Sequence, residues 1–317
     1  MHRPIIVVAL GGNAILRKGE KGSPEESWRN ARKAARALLE AYTRGYNLVV
    51  THGNGPQAGY LLEAIESLPS ERPRQTLDII DAMTQGWLGY IIQHAITLEA
   101  RRLHLNVRAV SLVTRVVVSK NDPAFRNPSK PVGFYYSEAE AEKLARERGW
   151  ILKPDPRGGY RRVVPSPRPI DVIEHDIVKR LALEGTIVIA VGGGGIPVTE
   201  DLEPVEAVVD KDLASSVLAT RISAERLVIL TDVPAIAVNF GKPNQKWLRR
   251  ITTREARELL EKGEFPPGSM GPKVEAAIYF AERTCRRAVV GHLDEAVKVI
   301  DMKSGTIIEP ANCDRIK

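Results

Sequence analysis

Three lysines stand in settings unlike those of ordinary surface lysines. Lys130 lies in a proline-rich stretch, and Lys273 follows a Gly-Ser-Met-Gly-Pro segment. Lys211 lies between Asp210 and Asp212, and a carboxylate between lysines would keep them charged and oriented. Phosphoryl transfer needs mainly such positioning and charge stabilisation, because little covalent work falls to the protein. The three lysines and Asp210 are therefore candidate catalytic residues. The alternative is that each lysine is solvated and that the triplet is a local ion pair worth under about 1 kcal/mol.

Three glycine-containing turns each follow an apolar stretch of strand length. They are Gly11-Gly12-Asn13, Gly53-Asn54-Gly55 and Gly192-Gly193-Gly194-Gly195. Glycine lets the main chain approach a ligand closely, and an adjoining helix N-terminus offers free N–H groups to an anion. Three such turns at one edge of a sheet would form a phosphate-sized site. For any single turn, tight turning alone is an equally good explanation.

Several other phosphate-binding and metal-binding classes are disfavoured by missing motifs. The sequence has no P-loop, no complete Gly-x-Gly-x-x-Gly fingerprint and none of the protein-kinase motifs. Glu174-His175-Asp176 resembles a metal cluster, but the isoleucines around it have helical spacing, so its polar residues are expected to face outward or to cap a helix. We therefore predict no metal held by protein ligands.

Composition indicates a folded protein that attracts anions. Of 317 residues, 43% are hydrophobic and 27% are charged, which excludes a disordered chain. The net charge of +7 comes from basic residues scattered among acidic ones, so no nucleic-acid partner is predicted. The N-terminal apolar run is too short for a bilayer span and lacks a cleavage site, so a cytoplasmic protein without membrane contact is expected. Cys285 and Cys313 lie far apart and are expected to be ordinary thiols.

Strands and helices alternate along most of the sequence. The aliphatic run from 5 to 10 predicts a strand buried on both faces, and Ser23, Pro24 and Glu26 predict the start of the following helix. Further strands are predicted at 48–51, 107–113, 187–191 and 227–231, and a long helix at 79–101. This order favours an α/β fold with an open, mainly parallel sheet, whose ligands bind beyond the carboxyl ends of the strands.

A proline-dense excursion interrupts this order. Between residues 121 and 169 prolines and glycines surround one predicted helix at 137–148. Turn residues at this density do not fit another strand–helix repeat, so we predict a small inserted subdomain. The alternative is a long surface loop.

A set of short motifs resembles those of the carbamate kinases, within the amino acid kinase family. Each motif is modest alone, but the set follows the family's order over nearly the whole chain. The motifs are Ala9 to Ala14, Thr51 to Pro56, Met83 to Gly86, Asn127 to Pro131, Pro165 to Pro169, Gly192 to Val198, Asp210 to Asp212 and Pro267 to Lys273.

The resemblance implies a fold, a reaction and an organisation. It implies a three-layer α/β/α sandwich of residues 1–317, with a protruding subdomain at 121–169, that forms a homodimer. Residues from about 1 to 210 would bind the acceptor and those from about 211 to 317 the nucleotide. The reaction would be the reversible transfer of a phosphoryl group between ATP and carbamate, giving ADP and carbamoyl phosphate. The nucleotide would bring Mg²⁺, held largely by phosphate oxygens and water.

The resemblance also implies roles for single residues. Lys130, Lys211 and Lys273 would neutralise phosphoryl oxygens, and Asp210 would orient lysines. The acceptor and the transferred group would lie among Gly11, Gly12, Asn13, Gly53, Asn54, Gly55, Gly193 and Gly194. The nucleotide would contact Lys211, Thr231, Asp232, Phe240, Ser269, Met270 and Lys273.

Two other functions stay open at this point. The chain could be a sister kinase that acts on another small carboxylate or phosphate, or a sensor that binds nucleotide or carbamoyl phosphate without catalysis. Carbamate is already an anion whose oxygen can attack phosphorus, so a general base is unnecessary. The three lysines argue against lost catalysis.

Overall fold

The computed structural model describes residues 3–17, 19–69, 71–155, 158–266 and 268–313, with only the main chain at Asn13. Pro267, part of one motif, and the Asn13 side chain therefore lie outside the described structure. The helices of the described residues are α1 Pro24–Thr43, α2 Gly55–Glu66, α3 Leu77–Arg102, α4 Glu138–Arg148, α5 His175–Leu183, α6 Lys211–Arg221, α7 Thr253–Glu261, α8 Met270–Thr284 and α9 Ala296–Ile300. The strands are β1 Ile5–Leu10, β2 Asn47–His52, β3 Ala109–Ser111, β4 Arg115–Val118, β5 Lys130–Tyr136, β6 Leu152–Pro154, β7 Tyr160–Val164, β8 Pro169–Val172, β9 Ile187–Ile189, β10 Ile196–Val198, β11 Arg226–Thr231, β12 Ala237–Val238, β13 Lys246–Trp247, β14 Arg250–Thr252, β15 Arg287–His292 and β16 Thr306–Glu309.

The main sheet of the described chain has the strand order β14-β16-β15-β11-β1-β2-β9-β3. Neighbouring strands are parallel except for β15 and β16, which are antiparallel. The predicted α/β class with a mainly parallel sheet is confirmed, although β3 is shorter than the predicted strand at 107–113. The chain places β2 on one side of β1 and β11 on the other. Such a switch point opens a crevice at the carboxyl ends of these strands.

Helices cover both faces of this sheet. Along β1, Ile6, Val8 and Leu10 belong to a core shared with α1 and α3, whereas Val7 and Ala9 belong to a core shared with α6 and α8. All six residues of β1 are buried. Full burial of one large aliphatic side chain contributes about 1.5–3 kcal/mol, so the continuous apolar run of β1 selects the centre of the sheet.

Side-chain caps fix where the helices begin. At α1, Ser23 and Glu26 form the predicted capping box around Pro24, and Ser137 and Glu140 form another at α4. At α6, the Asp210 carboxylate accepts the N–H of Asp212 at 2.9 Å, so the helix begins at Lys211. A cap of this kind stabilises a helix by about 1 kcal/mol.

Residues 130–155 and 158–164 form a small unit outside the main sheet. Its strands pair antiparallel in the order β5-β7-β6, and α4 packs on β5 and β7. It contacts α2 through an ion pair between Arg148 and Glu66. The guanidinium groups of Arg148 and Arg162 lie 4.9 and 4.5 Å from the centre of the Trp150 ring. Lys130 is the first residue of β5, so this unit carries one of the candidate catalytic lysines.

The expectation of two ordinary thiols is wrong. Cys285 and Cys313 form a disulfide, with their Cα atoms 5.7 Å apart. The cause is the antiparallel pairing of β15 with β16, in which Ala288 lies opposite Ile308. The residues before β15 and after β16 are therefore neighbours, although 28 positions separate the two cysteines.

The longest helix among the described residues is α3. It spans 26 residues and includes the charged residues Asp78, Asp81 and Glu99. In the described chain no helix has both the length and the apolar character needed to cross a membrane. The cytoplasmic location stays a prediction.

Candidate active site

The three glycine turns meet beyond the carboxyl ends of β1, β2 and β9. Gly11 donates its N–H to Leu230 O at 3.0 Å, and Gly53 donates to Leu10 O at 3.2 Å. A Cβ added to Gly53 would lie 3.3 Å from the Gly12 nitrogen. A Cβ added to Gly193 would lie 2.2 Å from Asn54 Nδ2, so a side chain at this position would overlap Asn54. The structure thus brings the turns together, main chain against main chain.

Two of the lysines share one buried carboxylate. Asp212 Oδ2 lies 3.1 Å from Lys273 Nζ, and its other oxygen pairs with Lys211 Nζ. The pairing follows from the fold, because α6 begins at Lys211, α8 begins at Met270, and the two helices pack side by side. Asp212 is nearly fully buried, and both lysines are largely so.

Burial and charge act in opposite directions on these groups. Burial favours a neutral Asp212, but Lys211 and Lys273 outweigh it and lower the pKa of Asp212 to about 2. Burial also opposes the charge on Lys273, yet Asp212 leaves the pKa of Lys273 raised. For Lys211, burial and the nearby Lys273 outweigh the attraction of Asp212, so its pKa is lowered. The shared carboxylate therefore stabilises the charge on Lys273 and opposes the effect of burial on Lys211.

Lys130 reaches the same place from the small unit. Its Nζ lies 3.2 Å from Asp210 Oδ2, while Asp210 Oδ1 caps α6. The sequence interpretation gave Asp210 the task of orienting lysines. In the structure Asp210 pairs with Lys130, whereas the carboxylate between two lysines is Asp212, which that interpretation left out of the site. The triplet indicates only that the two carboxylates face different sides of the helix start, not which of them meets the second lysine.

A cavity of about 760 Å³ adjoins Lys211 and Lys273. It is lined by Gly11, Gly12 and all the residues predicted to contact nucleotide, namely Lys211, Thr231, Asp232, Phe240, Ser269, Met270 and Lys273. Ala235, Ala237 and Phe265 add an apolar wall, a surface suited to a flat base. Ser269 and Met270 begin α8, whose N-terminal N–H groups favour phosphate. Gly53, Asn54, Gly55, Gly193, Gly194 and Lys130 lie outside this lining.

Sequence reasoning also missed two charged residues that line the cavity, Arg17 and Asp294. Arg17 Nη2 lies 2.8 Å from Asp294 Oδ1, and Lys33 Nζ lies 2.7 Å from the same oxygen. Hydrogen bonds from Lys33 and Arg17 lower the pKa of Asp294 to about 2. Arg17 and Asp294 are 277 residues apart, and no local pattern indicates their contact.

Gln85 joins α3 to the glycine turn after β9. Its amide nitrogen donates to Gly192 O and to Thr114 O, both at 3.1 Å, and its oxygen accepts the Thr114 N–H at 2.8 Å. Next to this turn, Val191 has φ 53°, a left-handed conformation that is unusual for a β-branched residue. The Val191 N–H donates to Thr114 Oγ1 at 2.6 Å, which helps to hold the turn.

The described residues contain no group of three or more His, Cys, Asp or Glu side chains that could hold a metal. Glu174 Oε1 accepts from Arg115 Nε at 2.8 Å and precedes α5. His175 Nδ1 hydrogen-bonds to Val172 O at 2.7 Å. Glu174 and His175 are thus engaged with Arg115 and with the main chain of β8.

Comparisons with known proteins identify the family. The model of the "Amino acid kinase family" matches residues 4–292. The chain belongs to this family. It is 48% identical to the carbamate kinase of Pyrococcus furiosus over 310 residues, which cover 96% of this chain and 99% of that protein. The family prediction, and with it that of an ATP-dependent kinase, is confirmed.

Solved structures agree. One from Aeropyrum pernix K1 is 52% identical, with a TM-score of 0.93, and the match covers 97% of this chain and 100% of that one. The carbamate kinase of Giardia lamblia bound to AMP-PNP is 38% identical, with a TM-score of 0.91, over 97% of this chain and 98% of that one. The fold and its likeness to carbamate kinases therefore extend over nearly the whole chain.

Proposed function

We propose that this protein transfers a phosphoryl group reversibly between ATP and carbamate, giving ADP and carbamoyl phosphate. The observation that carries the proposal is the meeting of three lysines around the start of α6. Lys211 and Lys273 share Asp212, and Lys130 reaches Asp210 two positions earlier in the chain. At an effective dielectric constant near 20, two unit charges about 4 Å apart interact by roughly 4 kcal/mol, enough for each lysine to matter in the transition state.

The acceptor would lie against the glycine turns. Carbamate is ionised at neutral pH, so its oxygen attacks the γ-phosphorus in line while the bond to the ADP oxygen breaks. No proton has to be removed from the attacking oxygen. The nearby His52 is buried, and burial lowers the pKa of its imidazole to about 4, so it adds no positive charge at neutral pH.

The nucleotide would occupy the cavity beside Lys211 and Lys273, with its base on the apolar wall and its phosphates toward the start of α8. A related carbamate kinase binds AMP-PNP, which supports this assignment. Asp210 and Asp212 are paired with lysines, so these residues fit a Mg²⁺ ion held mainly by phosphate oxygens and water. Bound there, the ion would neutralise phosphate charge. Residues from about 1 to 210 would then serve the acceptor and those from about 211 to 317 the nucleotide.

A homodimer is the second part of the proposal. Ile79, Met83 and Tyr90 are exposed on one side of α3, and Tyr60 of α2 is exposed nearby, in edge contact with Trp87. An apolar face of this kind fits the same face of a second copy about a twofold axis. Met83→Asp is expected to convert the dimer to a monomer in sedimentation, with Lys143→Asp on the exposed face of α4 as the control. A wild-type monomer, or a dimer that tolerates Met83→Asp, would contradict this assignment.

The decisive experiment for the reaction is ATP formation from ADP and carbamoyl phosphate. The same preparation is offered ATP with acetylglutamate, aspartate or UMP, the acceptors of sister kinases. We expect ATP in the first assay and no phosphorylated product in the others. Phosphorylation of another acceptor would indicate a sister kinase, and nucleotide binding without any turnover would indicate a sensor.

A further inference from the structure

The side chain of Asn54 occupies a capping position but does not cap. Asn54 immediately precedes α2, where an asparagine ordinarily accepts a main-chain N–H of the first turn. Among the described residues, its side chain makes no such bond. Instead its amide nitrogen donates to Asp81 Oδ1 and to Thr84 Oγ1, both at 2.9 Å. The first turn of α2 loses a cap, and the amide is turned toward α3.

The hydrogen-bond pattern fixes which way round the amide lies. Thr84 donates its own hydroxyl hydrogen to Asp81 main-chain O at 2.8 Å, so it can offer Asn54 only a lone pair. The nitrogen of Asn54, rather than its oxygen, must therefore face Thr84. Asp81, Thr84 and Asn54 are all buried, so water does not compete for these bonds.

Asp81 is also suited to hold the Asn54 amide in this orientation. Its Oδ2 is buried and has no hydrogen-bond partner among the described residues. Burial raises the pKa of this carboxyl to about 8, so at neutral pH the carboxyl is protonated and accepts the Asn54 N–H through its carbonyl oxygen. Both amide hydrogens of Asn54 are then used, and its carbonyl oxygen remains to accept a bond from elsewhere.

The amide also lies close to the main chain of Gly193. A Cβ on Gly193 would approach Asn54 Nδ2 to 2.2 Å and Oδ1 to 3.0 Å. Rotation of the amide is thus limited on one side by the turn after β9 and on the other by α3. These restraints all act on one side chain in the turn that the proposed function assigns to the acceptor.

We propose that Thr84 and Asp81 are positioning residues that hold the Asn54 carbonyl oxygen ready to accept a hydrogen bond from the amino group of the acceptor. The inference rests on the proposed function, in which the acceptor is carbamate. It gives the site a means to distinguish an acceptor that carries N–H donors from one that carries a methyl group in the same place. A buried acceptor left without its donor disfavours the wrong substrate, because its desolvation is not compensated.

The test compares Thr84→Val, which removes the hydroxyl at constant shape, with Thr84→Ser, which keeps it. ATP formation is measured with ADP and carbamoyl phosphate, and acetyl phosphate is measured both as a substrate and as a competitive inhibitor. For Thr84→Val we expect kcat/KM for carbamoyl phosphate to fall at least about tenfold, while the constants for acetyl phosphate change less than about threefold. Thr84→Ser should stay near wild type. An equal loss for both phosphates, or no loss for either, would overturn the inference.

A double-mutant cycle separates positioning from a structural role. Asn54→Ala removes the amide without adding bulk, and should lower the preference for carbamoyl phosphate at least as much as Thr84→Val. If Thr84 acts through Asn54, Thr84→Val added to Asn54→Ala causes no further loss of preference. Additive losses would contradict the inference, and the Asn54→Ala arm still decides it if Thr84→Val fails to fold. A wild-type protein that forms no ATP from carbamoyl phosphate refutes the proposed function itself, whereas wild-type activity with an unchanged preference in the variants refutes this inference alone.

Discussion

Asp212 shows how a single residue can keep two like charges together. Its two oxygens take one lysine each, and both lysines come from the starts of helices that pack side by side. Removing one partner of a buried ion pair leaves the other charge uncompensated, which typically costs about 3–5 kcal/mol. The site therefore depends on all three members.

Replacing Lys211 tests the charge that stabilises transfer. Lys211→Ala should lower turnover at least about a hundredfold, the scale seen when one preorganised donor is removed. The assay is ATP formation from carbamoyl phosphate and ADP. Lys143→Ala, on the exposed face of α4, is the matched control and should retain activity. Turnover of Lys211→Ala within about threefold of wild type would rule out its catalytic role.

Asp81 should impose a pH dependence on stability. Its pKa is raised from 3.8 to about 8 in the folded chain, chiefly by burial. Between these values the unfolded chain has lost the proton that the folded chain keeps, so stability falls as pH rises through this range. Asp81→Asn has no such proton. The Tm of wild type should therefore decline relative to that of Asp81→Asn from about pH 5 to about pH 8. A constant difference across this range would show that Asp81 does not hold its proton.

At the residue scale, composition and motif resemblance identified the lysines but not their arrangement. Asp210 and Asp212 both flank Lys211, and nothing in the sequence says which of them faces the second helix. That depends on where α6 begins, which Asp210 fixes by capping it. Arg17 with Asp294 and Asn54 with Thr84 are contacts between distant segments, and no local pattern predicts them.

Among the elements, the strand ends matter most, because they carry the glycine turns. Continuous aliphatic runs predicted β1, β2, β9 and β11 well, because such a run is most stable in a strand that is buried on both faces of the sheet. The short strand β3 was overestimated, because its half-buried residues do not differ in type from those flanking it. The turn after β9 gains its shape from α3 through Gln85, which is a tertiary effect.

A substitution at Gly193 tests whether the glycine turn after β9 must contact the turn that holds Asn54. Gly193 has φ +70°, and a Cβ there would lie 2.2 Å from Asn54 Nδ2. Gly193→Ala should therefore reduce turnover at least about tenfold by displacing Asn54, in addition to backbone strain of about 1–3 kcal/mol. Gly45→Ala is the control, because Gly45 has φ +97° but no atom within 4 Å of an added Cβ. It should lose stability and keep turnover. Equal turnover of the two variants would refute contact between the turns as the reason for glycine at 193.

At the scale of the whole molecule, the disulfide fastens the end of the described chain to the end of α8. The loop that it closes spans 28 residues, for which the chain-entropy model gives about 3–4 kcal/mol. Replacing both cysteines, Cys285→Ser with Cys313→Ser, should lower Tm by several degrees and leave activity unchanged. The same variant should show no response to dithiothreitol in thermal unfolding, whereas the oxidised wild type should. An unchanged Tm in the double variant would mean that the bond does not stabilise the fold.

The two carboxylate oxygens of Asp210 have different partners. Oδ1 caps α6, and Oδ2 pairs with Lys130. If Lys130 withdraws, the cap stays in place and α6 keeps its start. The broken contact is a partly exposed ion pair, for which about 0.2–1 kcal/mol is typical, close to the thermal energy of about 0.6 kcal/mol. Lys130 can thus leave Asp210 at little cost when a reactant enters or a product leaves, while the Lys211–Asp212–Lys273 cluster remains assembled.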